Sequence, residues 1–248
     1  MSILADLAVL DGVLPNDEVH VWQAHLGVAQ DYVTSLVPFL DATEQERASR
    51  FKVAWAREQF VISHAFVRLA LAKYLQVSPG DVRFLMAEYG KPELVSGRNI
   101  KFNLAHTKGV AVIAIARERA VGVDVETVRE TVEVSELADR FFSPKEAQWL
   151  RSQPASDRVL AFFDCWTAKE AYIKAKGMGL SIPLAAFAVI PDLGSERFPL
   201  EVFGDPESSK NWSIWRLNLG HPLRGALAVE GQGVAVRFRK WSWPNLVS

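Results

Sequence analysis

Gly122-Val123-Asp124-Val125-Glu126 alternates small or polar side chains with valines over five positions. This alternation is typical of a β-strand, in which successive side chains point to opposite faces. Gly122, Asp124 and Glu126 would then share one face, and the valines would occupy the other. Two carboxylates on one face indicate either a polar site or simply the solvated side of a half-buried strand.

A second charged segment, Trp166-Thr-Ala-Lys-Glu-Ala-Tyr-Ile-Lys-Ala-Lys-Gly177, has a helical period. Trp166, Glu170 and Lys174 are four residues apart, so a helix would place them in one stripe, and Gly177 would cap its end. If the stripe faces the strand, three carboxylates and two lysines converge. Carboxylates bind Mg²⁺ and lysines neutralise phosphate charge, so the pattern favours phosphoryl transfer. The alternative is an ordinary surface helix with charged pairs.

Several motifs, in this order along the chain, resemble the signatures of the 4′-phosphopantetheinyl transferase family, and within it the Sfp (surfactin-synthetase-activating) type. The resemblance runs from about Arg47 to Pro183 and is more specific than any one motif. Its segments are Tyr89-Gly-Lys-Pro92, Phe102-Asn-Leu-Ala-His-Thr107, Gly122 to Glu126, Arg140-Phe-Phe-Ser-Pro-Lys-Glu146, Trp166 to Lys174 and Gly177-Met-Gly-Leu-Ser-Ile-Pro183.

The resemblance implies transfer of the 4′-phosphopantetheine arm of coenzyme A to a serine of an apo carrier protein, with release of adenosine 3′,5′-bisphosphate. It implies that Asp124, Glu126 and Glu170 hold Mg²⁺ against the pyrophosphate. Glu170, or a water that it orients, would accept the serine proton. Lys174 would protonate or neutralise the leaving phosphate, and Lys169 would help to hold the pyrophosphate oxygens.

The resemblance also implies where coenzyme A binds. Lys91 and His106 would bind its phosphates, the backbone from Gly90 to Pro92 would receive the adenine, and the Trp166 indole would pack at the base of the site.

The chain departs from the family pattern at Ala105, where the family has a serine. Loss of that hydroxyl would remove a hydrogen bond to phosphate, which is worth about 1.5 to 3 kcal/mol when the acceptor is charged. The basic residues at the N-terminal end vary in position, so Arg47 and Arg57 are candidate phosphate ligands or solvated charges on a helix.

The chain contains an approximate internal repeat. Asn103-Leu-Ala-His106 and Asn218-Leu-Gly-His221 each precede an apolar run, and Arg50-Phe51 and Arg140-Phe141 each lead into a helix-like segment. Because the landmarks keep the same order, we predict two related halves.

The predicted fold is therefore α+β, a pseudo-twofold duplication of two similar α/β halves with the active site in the cleft between them. The N-terminal half, residues 1–121, would carry the coenzyme A nucleotide contacts, and the C-terminal half, residues 122–248, the metal and catalytic residues. The predicted strands are Val19 to Leu26, Phe84 to Met86, Ile100 to Leu104, Val110 to Ala116, Ala120 to Val125, Phe187 to Ile190, Trp212 to Leu217 and Ala226 to Val229.

The amino-acid composition limits the classes of function that this chain can have. The 248 residues carry 28 basic and 29 acidic side chains, so there is no electrostatic case for binding nucleic acid or an acidic membrane surface. No apolar stretch reaches the length of a membrane span, and the start lacks a basic signal-peptide region, which predicts a cytoplasmic protein. The single Cys165 excludes an internal disulfide and predicts a buried thiol.

The expected partners are coenzyme A and apo acyl or peptidyl carrier protein domains, and two fused halves favour a monomer. Two other functions remain open at this point. A metal-dependent phosphohydrolase could use the same three carboxylates with water as the nucleophile. A non-catalytic coenzyme A-binding or carrier-binding module could have lost its chemistry, as Ala105 would suggest.

Overall fold

The computed structural model describes residues 14–95, 99–191 and 194–244. Its strands are β1 (Glu18–His25), β2 (Phe84–Met86), β3 (Pro92–Leu94), β4 (Ile100–Thr107), β5 (Val110–Arg117), β6 (Val121–Thr127), β7 (Phe187–Val189), β8 (Arg197–Phe198), β9 (Leu200–Val202), β10 (Trp212–Leu217), β11 (Leu223–Glu230) and β12 (Ala235–Lys240). Its α-helices are α1 (Gln30–Leu36), α2 (Ala42–Ser49), α3 (Ala54–Leu75), α4 (Val134–Phe141), α5 (Pro144–Ser152), α6 (Arg158–Lys176) and α7 (Pro206–Lys210). None of these helices combines the length and the apolar character needed to cross a bilayer.

Two four-stranded sheets organise the molecule, in the orders β12-β1-β5-β4 and β6-β11-β10-β8. Within them, β1-β5-β4 and β6-β11-β10 have the same order and the same antiparallel pairing. In each half a long helix, α3 or α6, follows the first strand, and a short antiparallel pair, β2–β3 or β7–β9, follows the helix. The α+β class is confirmed, and the repeated order is what a duplication would produce.

An ion pair with a fully buried cation recurs in both halves. Helices α2 and α5 each begin with a capping box, in which a glutamate at the third helical position bonds back to the N-cap backbone. The Glu44 carboxylate also accepts from the buried Arg68 guanidinium, 24 positions further along on α3. Glu146 in turn accepts from the buried Lys169 ammonium, 23 positions further along on α6. Each capped helix is thus fastened to the long helix of its own half.

The C-terminal segment crosses between the halves. β12 pairs in parallel with β1, so it belongs to the N-terminal sheet although a division after residue 121 would assign it to the other half. Trp241, just after β12, is buried in the same N-terminal core as Phe66 of α3. The last strand therefore completes the first half.

The sheets meet at the edge strands β4 and β6. The two strands do not share a backbone ladder. Instead the Asn103 side-chain oxygen accepts from the Val123 backbone N–H at 2.9 Å, and the Thr107 and Thr127 hydroxyls lie 3.0 Å apart. Valines from both sheets fill the core between them, while α3 and α6 cover the outer faces. Beside this junction, β3, β4 and the end of α6 line a cleft of about 670 Å³ between the halves.

Candidate active site in the cleft between the halves

Strand β6 and helix α6 are in direct backbone contact, and Gly122 allows it. A Cβ at Gly122 would overlap the Ala171 carbonyl oxygen and the Ala175 backbone nitrogen. The face of β6 that carries Gly122 therefore faces α6, and alternation places Asp124 and Glu126 on that same face. The predicted meeting of the strand with the helix stripe thus matches the structure.

Asp124 and Lys174 form the central pair of this face. The Lys174 Nζ donates to Asp124 Oδ1 at 2.6 Å, and Asp124 is only 5% exposed. The second carboxylate oxygen, Oδ2, is buried and has no hydrogen-bond partner among the described residues. A buried carboxylate oxygen without a donor is costly, so this atom is suited to a ligand that supplies positive charge.

Three carboxylates share this environment. Burial raises the pKa of Asp124, and the Lys174 ammonium opposes the rise. Burial and then the Asp124 charge raise the pKa of Glu126 and also that of Glu170. Since each carboxylate is desolvated and repels another, a cation would stabilise all three.

The donor set fits Mg²⁺, because carboxylate oxygens are its preferred protein ligands and Asp124 Oδ2 is unpartnered. The side chains are not gathered into a finished cage, however. Over residues 14–95, 99–191 and 194–244, no three acidic, histidine or cysteine groups lie close enough together to enclose an ion. The fit therefore rests on chemistry and charge.

Lys169 is not brought to this site, which corrects the expectation that it holds pyrophosphate oxygens. Its side chain is fully buried on another face of α6, where Nζ donates to both Glu146 carboxylate oxygens at 2.7 Å and to the Phe187 carbonyl at 2.6 Å. One residue along a helix turns the side chain by about 100°, so Lys169 and its neighbour Glu170 point in different directions.

Lys91 is also engaged elsewhere. This half-buried residue of the β2–β3 hairpin donates from Nζ to the backbone carbonyls of Val121, Lys174 and Ala175, at 3.0, 2.7 and 3.2 Å. Burial lowers its pKa to about 8. The expectation that Lys91 binds a coenzyme A phosphate does not match these contacts.

A cavity of about 560 Å³ lies on the N-terminal side of the cleft, between α2, α3, β4 and the β2–β3 hairpin. Arg47, Phe60, His64 and Pro92 contribute to its wall. The His64 imidazole stacks on the Phe60 ring at 3.8 Å, and the Arg47 guanidinium lies over the same ring at 5.2 Å. Two basic groups therefore share one aromatic support beside the cavity.

His106 interacts through charge with His64 of the cavity wall and with Lys174 beside the carboxylates. Its side chain reaches the surface of β4, and partial desolvation and then the Lys174 charge lower its pKa. The pKa of His64 is lowered by burial, with Arg47 and His106 contributing through their charges and Glu44 opposing them. A series of basic groups thus leads from the cavity to Lys174.

The remaining predicted residues are distributed as follows. Arg57 lines a separate small cavity of about 120 Å³ between α1 and α3, so it is not gathered with Arg47. Ala105 is buried in the core between the sheets, on the opposite face of β4 from His106, so a hydroxyl there would face that core. Trp166 packs with Phe162 at 5.8 Å, one helical turn before Glu170. Cys165 is buried as predicted.

Sequence reasoning missed His64. No motif contains it, and its only signal is a polar side chain in an otherwise apolar stretch of α3. A histidine in that place is more often a core residue than a ligand, so only the cavity identified it.

The sequence and the structure were compared with known proteins. The model of the 4′-phosphopantetheinyl transferase superfamily matches residues 120–230. The transferase HetI of a Nostoc species is 33% identical over 228 residues, which cover 91% of this chain and 93% of that protein. The transferase Sfp of Bacillus subtilis is 30% identical over 163 residues, or 65% of this chain and 71% of Sfp. Among solved structures, the holo-acyl-carrier-protein synthase of Thermotoga maritima matches with a TM-score of 0.36 and 22% identity, over 45% of this chain and 62% of that one.

Proposed function

Since the chain belongs to the 4′-phosphopantetheinyl transferase family, we propose that the cleft between its halves transfers the phosphopantetheine arm of coenzyme A to a serine of an apo carrier protein. Sfp is among its relatives, which supports the Sfp type. Family membership disfavours both the phosphohydrolase and the non-catalytic module.

The reaction sets three requirements for the protein. The serine oxygen forms a bond to the phosphorus that carries pantetheine, and the bond from that phosphorus to the adenosine-bearing phosphate breaks. The serine proton must go to a base, and the departing adenosine 3′,5′-bisphosphate gains negative charge that must be stabilised. The pyrophosphate must also be held in line with the serine.

Glu170 is the proposed base. It lies one helical turn before Lys174 on the stripe of α6 that faces the carboxylates of β6. Burial and the Asp124 charge raise its pKa, and a raised pKa makes a carboxylate a stronger proton acceptor.

Lys174 is the group proposed to meet the leaving phosphate. Its side chain is 32% exposed, so the ammonium can reach a ligand in the cleft, while its bond to Asp124 fixes its direction. The Asp124–Lys174 pair beside Glu170 is the single observation that carries this proposal, because it combines charge for a phosphate with a neighbouring base.

Asp124, Glu126 and Glu170 are the residues that would hold Mg²⁺. When bound, the ion would offset the charge of the pyrophosphate. The buried, unpartnered Oδ2 of Asp124 supports this assignment.

We further propose that the nucleotide end of coenzyme A occupies the cavity between α3 and β4. Arg47, His64 and His106 would face its phosphates, and Pro92 would contact the base. Arg47, His64 and Pro92 line this cavity, and the charges of Arg47 and His106 both act on His64, which supports this role.

A mass measurement tests the proposed function. The protein is incubated with coenzyme A, Mg²⁺ and an apo carrier protein, and the carrier is then weighed. We expect the carrier to gain one phosphopantetheine group. Free hydrolysis products with an unmodified carrier would support a phosphohydrolase, and unmodified carrier with intact coenzyme A would support a binding module. Either of these results contradicts the proposal.

Two broader properties remain proposals. A monomer is expected because one chain supplies both sides of the cleft, and light scattering measures this directly. A cytoplasmic location accords with the free, buried thiol of Cys165, and cell fractionation tests it.

A further inference from the structure

Lys91 crosses from one half of the molecule to the other. It belongs to the hairpin of the N-terminal half, immediately before β3. Its Nζ nevertheless reaches the first residue of β6 and the end of α6, through the carbonyls of Val121, Lys174 and Ala175.

The number of donors limits what Lys91 can do. A lysine ammonium has three N–H groups and no acceptor. Three carbonyl oxygens lie within hydrogen-bond distance, so each proton has an acceptor. No donor is left for a phosphate while these contacts last.

The acceptors favour a cation here, whereas burial lowers the pKa of Lys91 to about 8. The last carbonyls of a helix have no partner within the helix, and the helix dipole is negative at that end. Lys174 and Ala175 lie in the last turn of α6, where the backbone ends in the left-handed conformation at Gly177. Lys91 therefore caps α6 from the opposite half.

The same contacts hold the backbone next to the Asp124–Lys174 ion pair. One carbonyl belongs to Lys174 itself, and another belongs to Val121, which starts the strand that carries Asp124. Lys91 thus fastens the backbone of Lys174 to the backbone of β6, beside the 2.6 Å bond between Lys174 and Asp124. Its chain neighbour Pro92 lines the cavity between α3 and β4.

We propose that Lys91 is a positioning residue, which holds the backbone of Lys174 against β6 and links it to the wall of the nucleotide cavity, and that it is not a phosphate ligand. This inference rests on the proposed function. Displacement of a reacting group by about 1 Å can cost 10²-fold in rate, so loss of this link should lower turnover.

The test uses Lys91→Met, which keeps an unbranched side chain one atom shorter than that of lysine and removes all its donors. We expect kcat to fall about 10- to 100-fold while the Kd for coenzyme A stays unchanged. The ratio of the Kd values for coenzyme A and 3′-dephospho-coenzyme A should also stay unchanged. Lys91→Arg, which restores donors, should recover part of the lost kcat.

Lys101→Met is the matched control. Lys101, on β4, lines the same cavity as Lys91 and pairs with Glu93 at 3.7 Å, without a hydrogen bond to α6. This variant removes the same charge from the same region, and its kcat should match that of the wild type.

A double-mutant cycle separates positioning from general destabilisation. If Lys91 acts through Lys174, the Lys91→Met change should cost little further kcat in a Lys174→Ala background. Full additivity of the two effects would overturn the proposal. So would a weaker Kd for coenzyme A with an unchanged Kd for the 3′-dephospho form, since that result identifies a phosphate ligand.

If Lys91→Met does not fold, the same cycle is run with Lys91→Gln below its melting temperature, with the same expected and opposing results. A wild-type protein that leaves the carrier unmodified would refute the proposed function itself. A wild type that modifies the carrier, with a Lys91→Met variant of normal kcat, would refute the positioning role alone.

Discussion

Asp124 illustrates how a buried side chain can still be suited to bind a ligand. It is 5% exposed, and among the described residues the one charged group bonded to it is the Lys174 ammonium on Oδ1. A charge buried with one partner and one free oxygen contributes little to stability, because desolvation offsets much of the attraction. The arrangement is better explained by a ligand that completes it.

Glu170→Gln tests the base at the residue scale. The amide keeps an oxygen for a metal ion but cannot accept the serine proton, so kcat should fall about 10²- to 10⁴-fold with little change in coenzyme A affinity. Steady-state kinetics and calorimetric binding measure the two quantities. A variant with normal kcat and only a higher Mg²⁺ requirement would show that Glu170 is a ligand alone.

The His64→Gln variant tests whether the nucleotide end of coenzyme A binds in the cavity between α3 and β4. Burial lowers the pKa of His64 and that of His106, which favours the neutral imidazole in the free protein. A bound phosphate raises both pKa values, so binding takes up protons and coenzyme A affinity falls as pH rises between the free and bound values. Calorimetry in buffers of different ionisation enthalpy measures the uptake, which should be smaller in the variant.

The control ligand for this variant is 3′-dephospho-coenzyme A, which lacks the 3′-phosphate that His64 is proposed to contact. Loss of a charge-assisted hydrogen bond of about 1.5 to 3 kcal/mol should weaken coenzyme A binding roughly 10- to 100-fold. The 3′-dephospho form should bind the variant and the wild type alike. An equal loss for both ligands would show that His64 does not contact the 3′-phosphate.

At the scale of elements, the close contact of β6 with α6 determines where carboxylates and Lys174 come together. Gly122 lets the helix backbone rest on the strand. In the N-terminal half, the face of β1 towards α3 instead carries His20 and Trp22, which both contact the Tyr74 hydroxyl at 2.8 Å. Aromatic packing thus fills one strand and helix pair, whereas the other leaves room for Asp124 and Lys174.

Gly122→Ala should disturb this contact. The added methyl group meets backbone atoms of α6 that cannot rotate away, so we expect a loss of at least about 1 to 3 kcal/mol in unfolding free energy. Transfer activity should also fall, since the helix carries Glu170 and Lys174. Gly27→Ala is the control, because a Cβ there meets nothing within 4 Å. Equal stability of the two variants would contradict the packing argument.

Lys169→Met tests the buried link between α5 and α6. Removal of one partner leaves the Glu146 charge uncompensated, so stability should fall by about 3 to 5 kcal/mol, measured by denaturant unfolding. Lys145→Met breaks an exposed pair with Glu201 and should cost at most about 1 kcal/mol. A stable Lys169→Met protein with weakened coenzyme A binding would instead support the pyrophosphate role.

The period of the sequence predicted which face of β6 and which stripe of α6 belong together, because side-chain direction follows from local geometry. The sequence period could not show that Lys169 and Glu170, although adjacent, have different roles. That distinction depends on Glu146, which lies 23 residues away and reaches Lys169 only through tertiary packing. Lys91 likewise lies in a recognisable motif, but its donors bond to carbonyls at the end of α6. No local sequence pattern reveals that contact.

At the scale of the whole molecule, the repeat explains the cleft. Two sheets of matching strand order meet at β4 and β6, so each half contributes one wall. The order of the landmarks in the sequence predicted two related halves, and the matching strand order agrees with that prediction. It did not predict that β12 returns to β1, because a parallel pairing between the two ends of the chain leaves no local signal.

The central claim is that Asp124 and its neighbours on α6 form the transfer centre. The most direct test compares the wild type with Asp124→Asn, which preserves the shape of the side chain, in a carrier-modification assay at saturating Mg²⁺ with mass detection. We predict that the wild type converts the apo carrier to its phosphopantetheinyl form. The variant, with a melting temperature close to that of the wild type, should leave the carrier unmodified. Conversion at a near-normal rate by Asp124→Asn would contradict the account.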